Sequence, residues 1–275
     1  MLRLPVIPFY DIARWHVGGV TLYTFGLLVA AGALIGHAMA MRRARALGLR
    51  PTRTVDVFAM WVLACGFVFG HVLDSVLYHP DILRAHPVEI VMLHHGLSSM
   101  GGIFGAVAGG VGFILVKRLN PWVYADLCTY AFPFGWLFGR AGCSVAHDHP
   151  GRLTDSPLAV RFPPDWPPPP EHPFGGPRYD LGLMEFALTP LLIALVVLVA
   201  RRSRKPGMIT GALAVAYPIV RFPLDFLRAT DLGPDSDPRY GGLTPAQWVC
   251  IALLGAGVWM LTAARRHPDW VPAAQ

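Results

Sequence analysis

Seven stretches of the chain run for about 20 residues with few charges, at 20–41, 55–77, 97–116, 121–139, 181–200, 207–227 and 244–264. A hydrocarbon core about 30 Å thick takes roughly 20 mostly apolar residues as one helix, so the pattern predicts seven transmembrane helices. Basic clusters follow the first, third, fifth and seventh: Arg42/Arg43/Arg45/Arg50/Arg53, Lys117/Arg118, Arg201/Arg202/Arg204/Lys205 and Arg265/Arg266. The positive-inside rule makes those loops cytoplasmic, which puts the N-terminus outside and the C-terminus inside. The expected architecture is an all-α polytopic membrane protein, one integral domain over 1–275 with an outer-face arm at 140–180. The start, Met1 to Gly19, has neither a compact apolar core nor a small-residue cleavage site, so the first helix is expected to be retained.

Composition agrees with that reading: 54% of residues are hydrophobic and only 15% charged, the balance of a membrane protein. The net charge of +6 comes from the clusters between apolar runs, which form no continuous basic face, so nucleic acid is not an expected partner. Cys65, Cys128, Cys143 and Cys250 lie in or beside apolar segments without CxxC spacing, indicating neither a disulfide framework nor a zinc finger.

Most His, Asp and Pro fall in the outer segments 78–96, 140–180 and 228–243, so function is expected to face outward. Pro167–Pro170 make Phe162–Pro177 an expected extended, partly polyproline arm. The segment 139–151 places Arg140, Cys143, His147, Asp148 and His149 directly after an apolar run. An arginine inside a span costs about 2.5–3.5 kcal/mol and normally has a partner. In the sixth run Arg221, Asp225 and Arg228 stand at i, i+4 and i+7, on one helical face. One carboxylate does not neutralise two guanidiniums, so this face is expected to stay positive and receive an anion, although a purely structural ion network accounts for the spacing too. Arg140 is expected to close the fourth helix near the same boundary and Glu185 to open the fifth. Guanidinium forks suit phosphate oxygens, which points to a phospholipid headgroup.

The third run, from Met100 to Gly110, has small residues three and four apart, among them Gly101 and Gly102. They suit close approach of a helix backbone or a lipid chain. His94, His95, Ser98 and Ser99 precede that run and are candidates to line the cavity of Arg140. Trp61, Trp122, Trp136, Trp166 and Trp248 suit interface positions.

These motifs, in this order, resemble the prolipoprotein diacylglyceryl transferase family over most of the chain. Gly139-Arg140-Ala141-Gly142, followed by Asp148 and Gly151, resembles a signature in which Gly-Arg-x-Gly-Asn leads to an acidic residue and then glycine. Arg221 to Asp231 resembles an Arg-x-x-x-Glu-x-x-Arg-x-x-Asp segment, and Gly242-Leu-Thr244-Pro-Ala-Gln247 the start of the last helix. Glu185 fits the glutamate opening the following helix. The chain departs from the family at Met100 (usually His), Phe25 (usually Tyr), Cys143 (usually Asn), Asp148 (usually Glu) and His71 (an Arg in helix two).

The resemblance implies transfer of a diacylglyceryl group from phosphatidylglycerol to the lipobox cysteine of a prelipoprotein, releasing glycerol phosphate, in the bacterial inner membrane. Partners are then phosphatidylglycerol, the prelipoprotein signal peptide and membrane lipids, with no cofactor and no metal. Arg140 and Arg221 would hold the departing phosphate, and His147 is the first candidate base, with His149, His94 and His95 as alternatives. Cys143, Asp148, His149, Gly151, Glu185, Asp225, Arg228, Gly101 and Gly102 join the expected substrate-binding set. Three other readings stay open: half of a metal site at His147-Asp148-His149, Cys143 as a nucleophile, and a silent or re-purposed relative that binds lipid or signal segments without turnover. Convergence of Arg140, Arg221 and the His147/His149 pair in one outward-facing cavity would favour the active reading, and histidines pointing into solvent the silent one.

Overall fold

The computed structural model describes residues 7–18, 20–78, 88, 98–164, 166, 175–232 and 236–271. Each predicted apolar run is a helix: α1 (Thr24–Ala46), α2 (Thr52–Tyr78), α3 (Ser99–Val116), α4 (Pro121–Ala146), α5 (Leu181–Arg202), α6 (Met208–Leu224) and α7 (Pro245–Ala264). Five of these segments are long and apolar enough to cross a membrane, and a shorter apolar stretch covers Gly101–Val116. Leu34, Val107, Leu115, Ile219 and Trp259 are each more than half exposed, as side chains solvated by lipid should be.

The packing divides into two compact units, residues 37–128 with 270–275 and residues 1–36 with 129–269. In the first, the glycine stripe of α3 lies against α2. A Cβ on Gly101 would sit 2.6 Å from the Phe69 carbonyl oxygen, and one on Gly105 2.5 Å from that of Cys65. Without water, helices associate through such close backbone contact, and the stripe is used for packing. Gly101 and Gly102 thus face Phe69, Gly70 and Gly66. His94 and His95 lie outside the described residues.

In the second unit α5, α6 and α4 meet at Leu192, Val196, Ile209 and Leu213, flanked by Tyr130 and Phe134. A Cβ on Gly182 at the start of α5 would stand 2.9 Å from the Cys143 carbonyl carbon, so α4 and α5 touch backbone to backbone there. Arg140 does not close α4, contrary to expectation. Its helix continues to Ala146, because no proline follows until Pro150 and the nearby glycine is held against a neighbour: a Cβ on Gly142 would meet the Phe25 ring of α1 at 2.7 Å. The chain leaves the helix at His147, whose φ of +52° is left-handed.

The described residues of the 140–180 segment, like those ahead of α1, form short strands. Strands β1 (Arg14–Val17) and β2 (Val20–Tyr23) form an antiparallel hairpin ahead of α1. Beyond α4, β3 (Pro150–Leu153), β4 (Val160–Phe162) and β5 (Gly176–Asp180) form an antiparallel sheet with β5 central. Val160 and Phe162 pack under Ile7, Phe9 and Trp166. Residues 165 and 167–174, where the polyproline arm was expected, lie outside the described residues.

Buried Arg178 of β5 clasps Asp231 with both terminal nitrogens and donates to the Gly151 carbonyl at 3.2 Å. That hydrogen bonding holds the Asp231 carboxyl below the usual carboxylate range. A depressed carboxylate contributes stability above its ordinary pKa, near 3.9, and loses it as pH falls. The difference in thermal midpoint between the parent chain and Asp231→Asn is therefore expected to be full at neutral pH and to shrink below about pH 4. A difference that grew on acidification would show the clasp to be misassigned.

Candidate active site

Three segments of the second unit bring their charges to one place. Arg140 sits one and a half turns from the end of α4, Glu185 in the first turns of α5, and Arg221 near the end of α6. The α-helix of α6 stops at Leu224 and tightens into a 3-10 turn at Asp225–Leu227, so Arg228 is already extended. The three predicted charges meet nonetheless. Arg221 Nη2 and Arg228 Nε each lie 2.7 Å from Asp225 Oδ1, and the Thr244 hydroxyl donates to Oδ2 of the same buried carboxylate. Thr244 belongs to the capping box that starts α7 with Gln247, whose side chain also donates to the Phe222 carbonyl at 3.2 Å. The start of α7 thereby fixes the turn after α6.

Glu185, 4% exposed, extends the chain of charges: its carboxylate lies 3.0 Å from Arg140 Nε and 3.2 Å from Arg221 Nη1. Arg228 Nη1 reaches Asp237 Oδ2 at 2.6 Å. Arg140, Arg221 and Arg228 thus face Glu185, Asp225 and Asp237, three cations against three carboxylates. The expected surplus positive charge is absent from this described cluster, because Glu185 joins it from α5 and Asp237 from the loop after the 3-10 turn.

What remains is unused hydrogen-bonding capacity, one donor and two acceptor oxygens. Neither Glu185 oxygen, nor Arg221 Nη1, has a hydrogen-bond partner with proper alignment, although the charges are close. Both residues line a small cleft together with Trp136, Leu188, Thr189, Leu192, Tyr217 and Val220. The Trp136 ring lies 4.2 Å below the Arg140 guanidinium and holds it flat. A buried N–H donor without an aligned partner beside a cleft can receive an anionic oxygen without first breaking a good hydrogen bond.

The signature segment divides. His147 is buried, stacked on Phe9 at 4.1 Å, with Nδ1 2.6 Å from Asp180 Oδ2. Asp180 also caps α5 by accepting from the Leu183 N–H at 2.9 Å. Cys143 Sγ is 3.8 Å from Arg140 Nη1, and donor atoms of Cys143, Asp148 and His149 lie within 4.8 Å of one another. A cation fits this trio poorly, since Asp148 Oδ1 already takes His149 Nδ1 at 2.6 Å and a guanidinium stands beside the sulfur. Gly151 bridges to Arg228, and a Cβ there would lie 2.6 Å from the Leu227 carbonyl oxygen, so its smallness seats the 3-10 turn against β3.

Sequence reasoning missed Asp180, Tyr217, Thr189 and Asp237. Tyr217 had a signal, standing four residues before Arg221 on the same face, and Asp180 had another, as an aspartate in N-cap position before an apolar run. Thr189 repeats that signal four residues after Glu185. Asp237 had none.

Comparison with known proteins completes the picture. The family profile described as prolipoprotein diacylglyceryl transferase matches residues 13–263. A phosphatidylglycerol–prolipoprotein diacylglyceryl transferase of Rhizobium leguminosarum bv. trifolii is 30% identical over 288 residues, covering 96% of each chain. The protein of that name from Bordetella parapertussis is 31% identical over 273 residues, covering 96% of this chain and 98% of its own. One from Chromohalobacter salexigens is 30% identical over 278 residues, 98% of this chain and 96% of its own. With the profile spanning nearly the whole chain and the arginine cluster in place, this protein belongs to the prolipoprotein diacylglyceryl transferase family.

Proposed function

We propose that the chain transfers a diacylglyceryl group from phosphatidylglycerol to the cysteine thiol of a prelipoprotein lipobox, in the bacterial inner membrane with its N-terminus outside and its C-terminus cytoplasmic. The observation that carries the reading is the pair of buried guanidiniums, Arg140 and Arg221, that share the Glu185 carboxylate, with Arg221 Nη1 lacking an aligned partner beside a small cleft. In the reaction the acceptor sulfur forms a bond to the terminal glycerol carbon of the lipid. The carbon–oxygen bond to phosphate breaks, and its electron pair leaves with glycerol phosphate. Charge gathers on that departing phosphate, where prearranged N–H donors in a water-poor site are most effective. The thiol, with an ordinary pKa near 8.5, reacts as thiolate, so its proton needs an acceptor.

The test is direct. Purified full-length protein in phosphatidylglycerol-containing nanodiscs is incubated with a lipobox peptide, and glycerol phosphate and the peptide mass are followed. The expected result is equimolar glycerol phosphate and a peptide bearing a diacylglyceryl thioether. Lipid binding with neither product would establish a silent relative instead, and an adduct on another acceptor a re-purposed one.

A further inference from the structure

The acceptor thiol needs a base, and the two histidines of the signature segment are differently placed. His147 Nδ1 faces the Asp180 carboxylate and Nε2 the Tyr10 carbonyl oxygen at 3.3 Å. Each ring nitrogen is turned to an internal acceptor, and the buried ring offers neither of them to an incoming thiol. Phe9, Phe162 and Trp166 surround the ring, which is the situation of a structural pin.

His149 differs on each point. Its side chain is 23% exposed, and Asp148 Oδ1, 2.6 Å from Nδ1, is the ring's hydrogen-bond partner among the described residues. A carboxylate accepting Nδ1–H fixes the tautomer and leaves the Nε2 lone pair available. The same pair lies within 4.8 Å of Cys143 Sγ, which touches Arg140. A continuous chain of contacts thus joins the proposed phosphate-holding arginine to an aspartate–histidine pair.

We propose that His149 is the base of the transfer, with Asp148 as its positioning residue and His147 serving structure only; this rests on the transferase reading above. The acceptor S–H gives its proton to Nε2 as the sulfur electron pair forms the bond to the glycerol carbon. The phosphate oxygen takes the pair from the broken carbon–oxygen bond, and the imidazolium later returns its proton to water.

In the nanodisc assay with the full-length chain, His149→Ala is expected to lower kcat about 10²–10⁴-fold near neutral pH, the usual range for a general base, with KM for the lipid little changed. The lost rate should recover partly above about pH 8.5, where the peptide thiol ionises unaided. His149→Gln, which retains a donor to Asp148, should fold like the parent and lose the same rate. Asp148→Asn should move the acid limb of the rate profile to lower pH, because the carboxylate that steadies the protonated ring is gone. His147→Ala should lower the thermal midpoint and keep the position of that limb. Folded His149→Ala and His149→Gln proteins that keep more than about a third of parent kcat at neutral pH would overturn the proposal while leaving the transferase reading intact. Loss of turnover on chelation with recovery on added zinc would also overturn it, making the Cys143 trio metal ligands. A parent chain that makes no thioether would overturn both.

Discussion

Glu185→Ala is expected to cost the fold about 3–5 kcal/mol, the penalty for removing one partner of a buried ion pair. The glutamate is 4% exposed and within 3.2 Å of two guanidiniums whose side chains are themselves only 8% exposed. After truncation Arg221 retains Asp225, but Arg140 keeps only the Trp136 face and the Cys143 sulfur among its described contacts. Low surrounding dielectric makes that imbalance expensive, and a guanidinium does not escape by losing its proton. Unfolding of the detergent-solubilised chain, followed by SDS titration, measures the loss. A double-mutant cycle with Arg140→Ala separates the pair from the cavity left behind: the second substitution should cost much less in the Glu185→Ala background than alone. A loss under about 1 kcal/mol for Glu185→Ala would mean the carboxylate is not neutralising both arginines.

The legibility of this chain follows from where each constraint acts. Helices in lipid satisfy their backbone groups internally and expose apolar side chains, so α1 to α7 each left a local mark, visible as a run. Their ends were less visible. The tail of α4 from Arg140 to Ala146 depends on Phe25 over Gly142 and on Gly182 against Cys143, contacts between segments far apart in sequence. The sheet of β3, β4 and β5 left no alternation to read, since its strands are only 3–5 residues long and include Pro150, Gly151, Gly176 and Pro177.

Within the site, the i, i+4, i+7 spacing on α6 was legible because its members share one helix. The charge balance was not, since Glu185 reaches the cluster from α5 and Asp237 from the loop beyond the 3-10 turn. The setting of His147 was not legible either, since its left-handed backbone and its stacking on Phe9 involve segments far apart in the chain.

Arg221→Ala and Arg140→Ala are each expected to lower kcat at least about 10²–10³-fold, the cost of removing a donor aimed at charge that develops in the transition state. Arg221 Nη1 is buried on the cleft wall without an aligned partner, so a phosphate oxygen entering there gains a hydrogen bond that the empty site lacks. Arg221→Lys separates charge from geometry. A lysine keeps the charge but has no planar fork to hold a phosphate oxygen and Asp225 at once, so most of the rate should still be lost. The two alanine variants should not be additive. Once Arg140 is gone, Glu185 has Arg221 alone to pair with, and it competes for the donors that the phosphate needs, so Arg140→Ala disables part of the other arginine as well. The Arg140→Ala/Arg221→Ala protein should therefore lose less than the product of the single losses. Steady-state release of glycerol phosphate from nanodisc lipid, with folded protein quantified by size-exclusion chromatography, gives each rate. Either single alanine variant retaining more than about a tenth of parent kcat would remove that arginine from the phosphate-holding role.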